Sequence, residues 1–141
     1  MSTELTKSTE SQNEIDESLY SRQLYVFGRD AMKSMSKSNV LIYGMGGMGA
    51  EIAKNVILSG VKSVMLLDQE NVKMSDLSSQ FYFTEDKIGK NRAEACVDSL
   101  SELNTNVDVK SMNGPVTKDL LSQYTILVTT DVPISIQTYL N

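Results

Sequence analysis

The segment GMGGMG at positions 44–49 constrains the fold of this chain more than any other part of its sequence. It follows NVLIY, a short apolar run typical of a buried parallel strand, and precedes a segment whose apolar residues recur at helical spacing. A glycine turn between a strand and a helix is the first unit of many nucleotide-binding α/β domains. The segment therefore predicts an α/β fold that begins with a strand–turn–helix unit.

Within this segment Gly44, Gly46 and Gly49 fit the spacing G-x-G-x-x-G, and Asp68 stands at the end of the next apolar run. Glycines permit the tight turn and let backbone amides approach phosphate groups, while the start of the helix favours negative charge. The acid is placed to accept hydrogen bonds from ribose hydroxyls. These four residues are our candidate cofactor-binding set. The alternative is a turn that keeps its glycines for close strand–helix packing, and the pattern does not separate ATP from NAD.

The rest of the chain alternates between the two kinds of element. Strands are predicted at 39–44, 61–68, 107–112 and 125–131, and helices at 19–28, 29–37, 49–60, 84–104 and 116–124. Such alternation predicts a Rossmann-like α/β domain, a mostly parallel sheet with flanking helices. After Pro133 the sequence again has the pattern of a helix start, whereas a doubly wound sheet continues with further strands. We therefore expect the fold to be truncated before the sheet is complete.

Composition narrows the class of protein. The 141 residues carry a net charge of −5, no histidine and a single cysteine, Cys96. This excludes histidine-based catalysis and internal disulfides, makes a zinc site unexpected, and argues against nucleic-acid and membrane partners. Residues 1–17 are polar and predict a disordered leader, followed by one domain over 18–141. Since no secretory signal is evident, we expect a cytoplasmic and nuclear protein.

Several longer segments carry a family resemblance. LYSRQLYVFG (19–28), GMGGMGAEIAKNVILSGVK (44–62), DLSSQFYF (76–83) and DKIGKNRAEA (86–95) resemble the first adenylation repeat of ubiquitin-activating enzymes. The wider relatives are the ThiF-type adenylyltransferases of thiamine and molybdopterin synthesis. The resemblance, which runs from Leu19 to Asn141, implies ATP- and magnesium-dependent adenylation of the C-terminus of a ubiquitin-like protein. In the ubiquitin enzyme the product then passes to a cysteine in a separate domain as a thioester.

The resemblance also implies a division of labour between two repeats. The active repeat binds ATP and magnesium, and the first, inactive repeat pairs with it. Residues 18–141 match the N-terminal portion of the inactive repeat, which makes the active repeat and ubiquitin the expected partners. In this family the arginine of the segment Y-S-R-Q, here Arg22, contacts the ATP phosphates of the opposite repeat. A guanidinium suits that role because it can donate two parallel hydrogen bonds to phosphate oxygens. The alternative is that Arg22 forms only a surface ion pair.

Departures from the active-repeat pattern support this assignment. Ser79 stands where an active repeat has a phosphate-binding arginine, Asp76 replaces an asparagine, and Arg92 replaces a lysine. Asp131 matches the magnesium-binding aspartate, but Val132 follows it in place of asparagine. The resemblance therefore implies an inactive repeat that adenylates nothing and, as a fragment, binds no ATP.

The same resemblance leaves residual nucleotide binding open, because the glycine loop and Asp68 are intact. Arg92 and Asp131 accordingly join the candidate cofactor-binding residues as parts of a vestigial site. No metal ligand set is predicted for the chain itself.

Other functions remain as alternatives. One is a non-catalytic subunit of a heterodimeric activating enzyme for another ubiquitin-like modifier, another is a nicotinamide-dependent Rossmann oxidoreductase fragment, and a third is a free-standing scaffold. Cys96 lies on an apolar helical stripe and lacks a neighbouring cation, so we predict a core residue and not a nucleophile.

Overall fold

The structure, a computed structural model, describes residues 15–133 and 135 of the chain. The predicted leader up to position 14, and most of the helix expected after Pro133, lie outside the described residues. Nine helices and strands are described: α1 Ser21–Phe27, α2 Arg29–Ser36, β1 Asn39–Tyr43, α3 Gly47–Ser59, β2 Ser63–Leu67, α4 Arg92–Ser101, β3 Asp108–Met112, α5 Lys118–Leu121 and β4 Ile126–Thr129. Two 3-10 turns, Met74–Ser78 and Glu85–Lys87, lie between β2 and α4.

The four strands form one sheet in the order β3-β2-β1-β4, and every neighbouring pair is parallel. Parallel neighbours need crossover connections, which α3 and α4 supply between β1, β2 and β3. β1 is central because it pairs with β2 on one side and with β4 on the other. The predicted α/β class, with a parallel sheet and flanking helices, is confirmed.

Alternation along β1 builds two cores. Val40 and Ile42 face the larger cluster, which α3 and α4 complete, whereas Leu41 and Tyr43 face a smaller cluster on the other side of the sheet. The prediction that Cys96 is a core residue is confirmed, since its side chain is fully buried in the larger cluster. Within the described part of the chain, no helix is long and apolar enough to span a bilayer.

The predicted helix at 84–104 is wrong at its start. α4 begins at Arg92, and the preceding residues form a 3-10 turn and a bend through Gly89, whose φ is +89°. The physical reason is an N-cap: the side-chain oxygen of Asn91 accepts hydrogen bonds from the Ala93 and Glu94 amides at 2.9 and 3.3 Å. The helix predicted at 116–124 is likewise shorter, and covers Lys118–Leu121.

The end of α3 that lies away from the glycine loop is fastened by three residues, Tyr20, Gly60 and Asn104, which we call the Tyr20 clamp. Gly60 ends α3 with a φ of +85°, and a Cβ there would lie 2.7 Å from the Tyr20 ring. The Asn104 amide donates to the Tyr20 hydroxyl at 2.7 Å and to the Ile57 carbonyl at 3.1 Å. The clamp joins the entry to α1, the end of α3 and the segment after α4.

Candidate nucleotide site

The glycine loop lies where β1 ends and α3 begins, and it is packed tightly against its surroundings. Gly44 has a φ of +104°; its amide donates to the Leu67 carbonyl at 2.8 Å, and its carbonyl accepts from the Thr130 hydroxyl at 2.8 Å. A Cβ on Gly44 would overlap the Thr130 carbonyl, and one on Gly49 would overlap the Gly44 carbonyl. The packing of the loop alone therefore requires these two glycines.

Asp68, predicted to accept from a ribose, uses both carboxylate oxygens inside the protein. One oxygen accepts from the Met45 amide at 2.7 Å, and the other accepts from the Glu70 amide at 2.8 Å. The residue is only 4% exposed. Asp68 consequently holds the glycine loop against the end of β2, and little of its carboxylate is available to a ligand.

The start of α3 has the features that favour an anion. The N-cap residue is Gly46, which has no side chain to cap the helix amides, and the first turn contains no acidic residue. Asp131 lies next to this helix start, with a carboxylate oxygen 2.9 Å from the position that a Cβ on Gly46 would take. Asp131 is exposed and has a φ of +53°. The structure thus brings Asp131 to the loop, where it adds negative charge.

Arg92 is at the centre of a charged group that we call the Arg92 cluster, comprising Arg92, Asp68, Glu70 and Asp76. The Arg92 Nε and Nη2 atoms donate to the two oxygens of Asp76 at 3.2 and 2.8 Å. Its Nη1 atom lies 3.8 Å from Asp68 and 3.5 Å from Glu70. The side chains of Arg92 and Asp76 are 14% and 12% exposed, so this fork-to-fork pair is largely shielded from water.

Both partners of this pair are held in their charged forms. Burial disfavours ionisation of the Asp76 carboxyl, but hydrogen bonds from Arg92 and the Lys73 amide, with the charges of both residues, outweigh it and lower the pKa. Burial likewise disfavours the charge on Arg92, but its hydrogen bond to Asp76 and the charges of the nearby acids outweigh burial and raise its pKa further from its already high ordinary value. The ion pair therefore persists throughout the physiological pH range.

The segment 76–83 closes over the loop from the other side. The buried Gln80 donates to the Met45 carbonyl at 3.4 Å and accepts from the Tyr82 amide at 2.7 Å. The Ser79 carbonyl lies where a Cβ on Gly47 would be. This segment thus braces the loop, and Ser79 provides no cation there.

These residues do not fit a bound polyphosphate. The backbone of the loop and the start of α3 suit phosphate, but the only cationic side chain of the Arg92 cluster is already paired. The acids of the cluster, with Asp131 beside Gly46, would repel further negative charge. Across residues 15–133 and 135, no three acidic, cysteine or histidine side chains converge to hold a metal ion.

Arg22 lies apart from the loop, whereas Cys96 is buried in the core cluster that also contains Met45 of the loop. Arg22 is exposed in α1, two residues from Tyr20 and thus near the opposite end of α3. It forms no ion pair within the described residues, so the surface ion pair considered as an alternative is not seen there. Burial raises the pKa of the Cys96 thiol to about 12, which leaves it un-ionised and a poor nucleophile.

Sequence reasoning missed one residue of this site, Asn91, and one contact, the pairing of Asp76 with Arg92. Asn91 caps α4 and also donates from its side chain to the Asp68 carbonyl at 2.8 Å, so it links the helix to the end of β2. Its signal was available, because N-R-A-E has a capping residue followed three positions later by Glu94. The pairing of Asp76 with Arg92 had no local signal, since it depends on the fold.

Comparison with known proteins gives the same architecture. A family model described as the ThiF family matches residues 20–141. Among solved structures, E. coli tRNA N6-threonylcarbamoyladenosine dehydratase in complex with ATP superposes with a TM-score of 0.71 at 19% identity, over 84% of this chain and 51% of that one. E. coli MccB in complex with AMPCPP superposes with a TM-score of 0.73 at 23% identity, over 89% and 41%. At these identities the likeness concerns the fold alone.

Two curated relatives are much closer in sequence. The ubiquitin-like modifier-activating enzyme 1 of Mus musculus is 53% identical over 127 residues, which is 90% of this chain and 12% of the mouse protein. The ubiquitin-activating enzyme E1 2 of Arabidopsis thaliana is 56% identical over 119 residues, which is 84% of this chain and 11% of the plant protein. The chain therefore spans about an eighth or less of the length of these relatives. The resemblance found in the sequence is confirmed.

Proposed function

The chain belongs to the ThiF family, and from that premise we propose that it is the N-terminal part of the inactive adenylation repeat of a ubiquitin-activating enzyme. The parent enzyme uses ATP and magnesium to adenylate the C-terminus of ubiquitin, which then passes to a cysteine as a thioester. Residues 18–141 pair with the active repeat and supply Arg22 to its ATP. The active repeat and ubiquitin are the partners, in the cytoplasm and nucleus.

The choice of ubiquitin rests on sequence identity. Plant relatives named as ubiquitin-activating enzymes E1 are 53–56% identical over 84–86% of the chain. Identity of this extent favours ubiquitin over another modifier and adenylation over hydride transfer. It therefore supports this function ahead of the heterodimer subunit and the oxidoreductase fragment.

The position of Arg22 is the observation that carries the proposal. α3 has 13 residues and is about 20 Å long, with the glycine loop at its start and the Tyr20 clamp at its end. Because Arg22 is two residues from the clamp, its side chain begins far from the chain's own loop. Arg22 is exposed and forms no ion pair within the described residues, so it is free to bind an external anion. These features support contact with a phosphate held by another repeat.

The chemistry of adenylation suits a guanidinium in that position. Attack of the ubiquitin carboxylate on the α-phosphate releases pyrophosphate, so negative charge moves onto the departing oxygens. A permanently charged fork that reaches these oxygens stabilises the transition state. The glycine loop of this chain, together with Asp68, Arg92 and Asp131, is then a vestigial nucleotide site that holds no ATP, and the active repeat holds both ATP and magnesium.

A chimeric enzyme tests this function. Residues 20–133 would replace the matching segment of the mouse enzyme, and ATP–pyrophosphate exchange and ubiquitin thioester formation would be measured. We expect the chimera to be active and Arg22→Ala to slow adenylation by about a hundredfold, the usual size of one lost transition-state charge contact.

Arg29→Ala is the matched control. Arg29 is also an exposed arginine, and its partner is Glu17 of the same chain at 2.5 Å. Its removal should leave adenylation unchanged. Equal rates for the Arg22 and Arg29 variants would contradict the proposed role of Arg22. A chimera that folds but is inactive would contradict the proposal that this chain is part of a ubiquitin-activating enzyme.

A further inference from the structure

Arg92 already holds an anion, and that anion belongs to the protein. Two guanidinium nitrogens bind the two oxygens of Asp76 at 3.2 and 2.8 Å. Carboxylate and phosphate present the same pair of oxygens to a guanidinium fork, so one excludes the other. We propose that the Asp76 carboxylate is a built-in anion that occupies Arg92 in place of a nucleotide phosphate and keeps the glycine loop closed to nucleotides.

The guanidinium lies close enough to the loop to have served a ligand there. Its Nη1 atom is 3.8 Å from an oxygen of Asp68, and that same oxygen accepts from the Met45 amide of the loop at 2.7 Å. A single carboxylate oxygen therefore separates Arg92 from the loop backbone. Once released from Asp76, the side chain is within reach of an anion at the start of α3.

Asp76 is held in position independently of Arg92. The Lys73 amide donates to its carboxylate at 2.9 Å, and its own carbonyl accepts from the Gln80 amide at 2.9 Å. The carboxylate is consequently fixed before any ligand arrives, so it binds Arg92 without a further loss of freedom. A nucleotide would have to displace this tethered group and also approach Glu70, which lies 3.5 Å from Arg92.

This inference deepens the proposed function, on which it rests for the view that the repeat is inactive. It identifies which residue closes the site. Its test measures anion binding by this chain, whereas the proposed function is tested by adenylation in the chimera. The two can therefore fail separately.

The test compares the binding of inorganic tripolyphosphate and of ATP by the whole chain and three variants. D76N removes the charge with little change of shape, and an asparagine can still accept from the Lys73 amide. D86N removes the same charge at an exposed acid, which accepts from the Thr84 hydroxyl outside the Arg92 cluster. D76N/R92Q removes the released cation as well. Calorimetry would give the dissociation constants.

We expect D76N to bind tripolyphosphate and ATP at least roughly tenfold more tightly than the unmutated chain, since a charge-assisted contact becomes available. D86N should bind like the unmutated chain, and D76N/R92Q should lose the gain. Equal binding by D76N and D86N would overturn the proposal. So would a gain that persists in D76N/R92Q.

A second measurement uses only the unmutated chain, so it tests the proposal even if D76N does not fold. The Nε–H resonance of Arg92 would be followed by NMR in the unmutated chain while ATP is added to millimolar concentration. We expect it to stay unchanged, because the proton remains bonded to Asp76. A shift that saturates with ATP would overturn the proposal.

Discussion

The two ends of α3 are fastened in different ways, although each relies on a glycine with positive φ. At the start of α3, Gly44 lets the glycine loop pack against Thr130, and the charged side chains of the Arg92 cluster lie beside the loop. At the end, Gly60 leaves room for the Tyr20 ring, and a neutral hydrogen bond from Asn104 completes the contact. The loop end therefore depends on backbone-to-backbone fit and charge balance, whereas the clamp end depends on one aromatic ring and the two neutral hydrogen bonds that Asn104 donates.

The largest effect is expected from filling the loop end. In Gly49→Ala the new methyl group would overlap the Gly44 carbonyl, and neither backbone segment can move aside easily. We expect the free energy of unfolding to fall by more than about 3 kcal/mol. Urea denaturation would measure it.

Gly114→Ala is the control for that substitution. A Cβ at Gly114 would meet only the end of the Met112 side chain, at 4.0 Å, so stability should be unchanged. Equal stabilities for the two variants would contradict the conclusion that the loop has no space for a methyl group at Gly49.

A smaller effect is expected from unbalancing the charges at the loop end. Arg92→Leu leaves the carboxylates of Asp68, Glu70 and Asp76 together, two of them largely buried. Removing one partner of a buried ion pair should lower stability by about 3 kcal/mol. Arg29→Leu, which breaks an exposed pair with Glu17, should change it by less than about 1 kcal/mol. Chemical denaturation of both variants gives the comparison, and similar losses would show that burial of the Arg92 pair has no consequence.

The clamp end should respond more weakly. Tyr20→Phe keeps the ring against Gly60 and removes only the hydroxyl that accepts from Asn104, whose amide still donates to Ile57. We expect a loss of about 1 kcal/mol, typical of one hydrogen bond. Tyr25→Phe is the control because Tyr25 is 92% exposed, and no change is expected there. A loss as large as that of Arg92→Leu would erase the contrast between the two ends.

The smallest expected effect is a difference between the two ends of α3 in how stability falls at low pH. Because the pKa of Asp76 is lowered below 3.8, its ion pair stabilises the fold fully above that pH and loses this effect as the pH falls further. Thermal melting from about pH 5 down to about pH 2, a range that extends well below the ordinary pKa of an aspartate, should show a steeper decline for the unmutated chain than for D76N. The contacts of the clamp do not titrate in this range, so Tyr20→Phe should decline as steeply as the unmutated chain.

The sequence predicted those parts of the molecule that have a local pattern. The apolar runs and the glycine turn predicted β1 and α3 correctly. Strand and helix periodicities, and the need for a tight turn, are patterns of neighbouring residues, so they can be recognised from the sequence. The start of α4 was missed because the helix was extended back to position 84, although its apolar set begins at Ala93, and the cap at Asn91 was not considered. Two side-chain contacts join segments that are distant in the sequence, Asp76 with Arg92 and Tyr20 with Asn104. No pattern among neighbouring residues could therefore predict them.

The position of β4 in the sheet has a consequence for the order of assembly. The Gly44 amide bonds to Leu67 in the nearby β2, whereas the Thr130 amide bonds to Tyr43 across most of the chain. Closing the longer loop costs more entropy and takes more time, so β4 should dock after β1 and β2 have paired. The Thr130 hydroxyl then completes the glycine loop as a late step. Pulse-labelled hydrogen exchange during refolding should find the Gly44 amide protected before that of Thr130, and the reverse order would refute this sequence of events.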